Sequence, residues 1–81
     1  MKEYIATFYS HFGAIRFKKA CEAIGLRAAV MPVPRNLSSS CGTCVKFQAS
    51  GEEAFPEKNE EMEKIVQIKG DTFCKVYEAE G

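Results

Sequence analysis

The chain has 81 residues, 46% of them apolar and 27% charged, with a formal net charge of zero, which describes one small globular domain over residues 1–81 and argues against a disordered or collagenous chain. No apolar run approaches the ~20 residues of a membrane helix; the longest, Ala28–Val33, is strand-length and contains Pro32. The opening Met1-Lys2-Glu3 does not read as an export signal, so neither a secreted nor a spanning protein is expected, and a reducing, cytoplasmic compartment is.

Along the chain, the aromatic and β-branched run Tyr4–Tyr9 predicts a strand with both faces covered. Ser10 suits the N-cap of a helix whose apolar positions Ala14, Phe17, Ala20, Cys21 and Ile24 recur every three or four residues, with Gly25 as its stop. Arg27–Val33 reads as a second strand closed by Pro32 and Pro34, followed by a polar turn, Arg35–Gly42, with three consecutive serines. Val45, Phe47 and Ala49 then alternate with Cys44, Lys46 and Gln48, the pattern of a half-buried third strand. Pro56 suits the first turn of a second helix with Met62, Ile65 and Val66 on its inner stripe, ended by Gly70-Asp71, and Thr72–Ala79 predicts a last strand.

The predicted order β-α-β-β-α-β implies an α+β two-layer sandwich, ferredoxin-like or sulfur-carrier-like. It has a four-stranded sheet with both helices on one face. Right-handed crossovers put the third strand between the first and second, and the first between the third and fourth. On that topology His11, Arg35, Cys41, Cys44 and Cys74 gather at one sheet edge, while Cys21 lies mid-helix as a small buried hydrophobe.

The charge is divided unevenly. Residues 1–50 carry seven bases against two acids, and residues 51–81 carry four bases against nine acids. This reads as two solvated faces or as a basic docking face. Without a Lys/Arg cluster interleaved with aromatics, nucleic acid is not an expected partner.

Four cysteines in a reducing compartment point to metal, redox or thiol chemistry rather than to disulfides. Cys41-Gly42-Thr43-Cys44 therefore has three readings: a dithiol redox pair, half of a zinc site, or a nucleophilic thiol with a resolving partner. A thioredoxin-type motif opens a helix, whereas the residues after Cys44 alternate like a strand. Zinc would need Cys74 and His11 as isolated further ligands, and a second short-spaced pair is missing. One histidine and no glycine-rich phosphate loop leave no basis for hydrolase chemistry, so an enzyme is not expected.

The stretch Val33-Pro34-Arg35-Asn36-Leu37-Ser38-Ser39-Ser40-Cys41-Gly42 resembles the signature of a family of small bacterial proteins described as selenium/sulfur carrier-like. A looser likeness extends over nearly the whole chain. The resemblance implies a carrier role for Cys41, with a desulfurase-type protein as donor, an acceptor protein, and no cofactor or metal. Cys44 departs from that pattern, in which another residue often stands there. It opens the possibility of a second, assisting thiol.

The residues themselves suit such a role. A carrier thiol must be accessible and ionised near neutral pH. Gly42 removes bulk beside Cys41, and Ser40 and the turn's backbone N–H groups are donors for a thiolate or persulfide. Arg35 and a helix start at His11 would add positive potential. A dithiol redox module and a zinc-binding adaptor remain as alternatives.

Overall fold

The computed structural model describes residues 1–79. Five strands form one antiparallel sheet: β1 (Lys2–Phe8), β2 (Ala28–Pro32), β3 (Thr43–Ala49), β4 (Met62–Lys69) and β5 (Thr72–Glu78). They are ordered β2-β3-β1-β4-β5, with one α-helix, α1 (His11–Ala23), against one face. β1 is central, and Tyr4 to Phe8 are all buried, as a strand covered on both faces requires.

α1 begins where Ser10 Oγ accepts from the Gly13 N–H at 3.2 Å. It ends in a Schellman motif: Leu26 N–H donates to Cys21 O and Gly25 N–H to Glu22 O, with Gly25 at φ +84°. Ala14, Phe17 and Cys21 face inward, but Ile24, expected on the same stripe, lies beyond the last helical turn and is 54% exposed. Gly13 is required by close approach, because a Cβ there would collide with Cβ of Glu61.

The expected second helix is absent, and the four-stranded, two-helix sandwich gives way to five strands and one helix. Residues 62–69 form a strand, and its irregular register explains why the spacing looked helical. Phe8 stands opposite Met62 and Thr7 opposite Lys64, leaving Glu63 as an extra residue in a bulge. The bulge puts Met62 and Ile65, three apart, on the helix-covered face. Val66 follows on the opposite face, buried because β4 lies inside the sheet. A bulged inner strand thus reproduces an i, i+3, i+4 apolar pattern. Gly70-Asp71, read as a helix end, is a two-residue hairpin turn between Lys69 and its cross-strand partner Thr72.

The sheet divides the apolar residues in two. On the α1 side Tyr4, Phe8, Phe17 and Phe47 form an aromatic core, with Phe17 edge-on to Phe47 at 5.1 Å. Phe55 lies edge-on to Tyr4 at 4.7 Å, so the segment after a one-turn 3-10 helix (Glu52–Ala54) covers sheet that a second helix would have covered. Each fully buried aromatic of this kind contributes roughly 2–3 kcal/mol by transfer from water. On the other face Ile5, Cys44 and Val66 form a smaller cluster, with Met31, Val33, Leu37, Ile68 and Phe73 packed against it.

Candidate functional site

The segment from Val33 to Gly42 leaves β2, turns at Pro34–Leu37 (Leu37 N–H to Pro34 O, 3.0 Å) and packs Val33 and Leu37 beneath the uncovered face. It then returns to the sheet edge at Cys41. The Val33 N–H donates to Gly42 O at 3.1 Å and closes the loop, and Gly42, at φ +75°, makes the left-handed bend into β3.

Three side-chain ties fix the turn around Cys41. Ser39 Oγ donates to Phe8 O at 3.3 Å. Ser40 donates twice to the Glu63 carboxylate, from its N–H at 3.3 Å and from Oγ at 3.2 Å. Thr43 Oγ1 and His11 Nδ1 share a 2.7 Å hydrogen bond. Glu63 reaches the loop because it occupies the bulge of β4, where the extra residue re-aims a side chain that regular pleating would have directed straight out from one face of the sheet.

Cys41 is half-buried, packed against the helix-side core, and its thiol lies 3.5 Å from Thr43 O. Cys44, three residues on, belongs to the opposite cluster, fully buried with Ile5 and Val66. Its thiol makes a long hydrogen bond, 3.8 Å, to Pro32 O. Burial, and secondarily the nearby Cys41, pushes the Cys44 thiol up to about 11, which leaves it neutral and weakly nucleophilic at ordinary pH. Beside it the buried Thr7 Oγ1 has no hydrogen-bond partner among the described residues. The two thiols of the C-x-x-C therefore lie in separate apolar clusters, on opposite faces of the sheet.

The structure thus brings His11, Ser40, Cys41 and Gly42 together around one turn. Arg35 is exposed at the separate Pro34–Leu37 turn and joins no ion pair among the described residues. Cys74 is far from the turn because β4 intervenes and reverses the chain. Cys74 stands opposite Gln67, itself opposite Tyr4, whereas Cys44 stands opposite Thr7 at the other end of β1. Cys21 is buried in the helix-side core, where burial raises its thiol to about 11. Glu63 and Thr43 are the site residues that the sequence reading missed. The Gly70-Asp71 hairpin signal, which makes residues 62–69 a strand, was the route to Glu63.

Among the described residues no group of three or more His, Cys, Asp or Glu side chains is disposed to hold a metal ion, and no helix is long and apolar enough to cross a membrane. The arrangement places the partly exposed Cys41 in a small-residue turn tied to β1, β4 and α1.

Comparison with known proteins adds a family. Residues 3–77 match the model of a family described as "Putative Se/S carrier protein-like". The chain is also 40% identical over 45 residues to an uncharacterized protein, YtiA, of Escherichia coli strain K12, a match that covers 56% of this chain and 53% of that protein. The chain thus spans about half the length of this curated relative. No solved structure matches.

Proposed function

The chain belongs to the Se/S carrier protein-like family, and on that premise we propose that it carries a sulfur or selenium atom on Cys41 and relays it between proteins. The observation that carries this reading is the division of the thiols: Cys41 alone of the C-x-x-C pair lies in the tied, partly open turn.

In loading, the Cys41 thiolate attacks the terminal sulfur of a persulfide on a desulfurase-type donor. The donor's S–S bond breaks, a new S–S bond forms on Cys41, and the donor cysteine leaves as its thiolate. An acceptor thiolate repeats the exchange at the terminal sulfur and returns Cys41 to the thiolate. No external oxidant or reductant is consumed, and nothing in the steps calls for a cofactor. Gly42 leaves room beside the added atom, and Ser40 and His11 hold the turn through Glu63 and Thr43. Neither Arg35 nor Cys74 takes a chemical step. The exchange suits a reducing compartment such as the cytoplasm.

Cys44 has a conditional part. Once the Val33–Gly42 segment lifts, its thiolate can attack the Cys41 sulfur, form a Cys41–Cys44 disulfide and expel hydrosulfide. Ground-state dithiol cycling, the alternative reading, is less well supported, because the two thiols sit in different clusters.

Intact-protein mass spectrometry after incubation with a cysteine desulfurase and cysteine tests the reading. One reducible sulfur is expected on the wild type and on Cys44→Ser, and none on Cys41→Ser. An adduct that survives Cys41→Ser would overturn it, as would a loss of two hydrogens in protein that has met no sulfur donor.

A further inference from the structure

The start of α1 is unusual for a solvated helix. Of the six large apolar side chains exposed among the described residues, three fall between positions 9 and 15: Tyr9 at 46%, Phe12 at 66% and Ile15 at 47%. Phe12 and Ile15 lie three residues apart on the outer face of α1, and nothing in the fold requires apolar residues there. The patch has a basic border. The Arg16 guanidinium lies over the Phe12 ring at 5.5 Å, Lys19 is exposed one turn on and joins no ion pair among the described residues, and α1 contains no acid before Glu22. Arg16 also holds Glu60 at 3.1 Å, an exposed pair that an incoming carboxylate can replace at little cost.

Position gives the patch its meaning. His11 immediately precedes Phe12, and its hydrogen bond to Thr43 joins the helix start to the turn that presents Cys41. The apolar patch therefore begins one residue from the tie that joins α1 to the Cys41 turn.

Resting on the carrier reading above, we propose that the outer face of α1 is the docking surface for the protein that loads Cys41. That donor presents an apolar hollow to receive Phe12 and Ile15, bordered by carboxylates that meet Arg16 and Lys19. Exposed aromatic anchors with a charged margin are the pattern in which the apolar contact sets residence time and the margin sets the encounter rate.

The test compares two sulfur sources on the full chain: a cysteine desulfurase with cysteine, and glutathione persulfide, which needs no docking surface. In the Phe12→Ser/Ile15→Ser variant, loading from the desulfurase should slow at least tenfold, with loading from glutathione persulfide unchanged. Lys19→Glu, at an exposed position, should slow desulfurase loading severalfold and flatten its salt dependence. Equal desulfurase rates in wild type and both variants would overturn the surface while leaving the carrier reading intact. So would a wild type that loads from glutathione persulfide but not from the desulfurase. Loading from neither source would refute the carrier reading, and this inference with it. If light scattering shows a wild-type dimer that the double variant dissolves, or if vesicles of anionic phospholipid bind the wild type and not the variant, the patch has a different occupant and the proposal fails.

Discussion

The two faces of the sheet are built from the same strands yet differ in how they are closed. The α1 side is sealed by a helix and by Phe55, over a core of large aromatic rings in edge-on contact. The other side is closed by a looser cover, the segment bearing Val33 and Leu37, over a cluster of three fully buried residues, one of them Cys44. The chain passes from one face to the other within the C-x-x-C turn, so Cys41 packs against the first cluster and Cys44 against the second. The spacing of two cysteines in sequence does not by itself make them a chemical pair. In this chain the pleat of β3 and the course of the preceding loop separate them.

The largest effect should come from breaking the sealed face. Phe17→Ala removes the ring that joins Phe8 and Phe47. It should cost about 3–5 kcal/mol in urea unfolding, a large share of the net stability of a domain this small.

Both faces bury a thiol, and alkaline pH tests them together. Cys21 and Cys44 each have a thiol raised from 9.0 to about 11 by burial in the folded protein. Because the folded value exceeds the unfolded one, the stabilisation is complete below pH 9. It is lost as pH rises through about 11, where the unfolded chain releases protons more readily. Thermal melting points should therefore fall between those values, and less steeply in Cys21→Ala. A melting point that stays flat across the range would mean that neither thiol is held neutral by burial.

The looser face should open with little loss of stability. Leu37→Ala, at a half-buried position, should cost about 1 kcal/mol. The same change should raise the alkylation rate of Cys44 about tenfold, or even more, without a comparable change at Cys21.

The smallest effect concerns the tie across the edge. Glu63→Gln weakens the bonds to Ser40 N–H and Oγ and should change stability by less than about 1 kcal/mol. It loosens the turn, so Cys41 should alkylate about two- to threefold faster.

Much of this architecture is legible in the residues. The central strand, the capped helix with Gly25 at its end and the alternating β3 all follow from short-range patterns, and the C-x-x-C turn that holds Cys41 is visible as a motif. Two features do not. Met62, Ile65 and Val66 keep helical spacing because a bulge and burial on both faces combine to imitate it. Reading them as helix hid Glu63 and brought Cys74 to the wrong end of the sheet. The side on which Cys44 packs depends on where the Val33–Leu37 segment lies, a tertiary choice that no local spacing encodes.

The division between Cys41 and Cys44 is tested most directly by a brief pulse of light iodoacetamide on the native protein near neutral pH. Denaturation, labelling with heavy iodoacetamide and fragment mapping of the peptide that holds both cysteines then follow. The account predicts light label on Cys41 and heavy label on Cys44. Equal light labelling of the two, or a preformed disulfide that leaves both unlabelled, would contradict it.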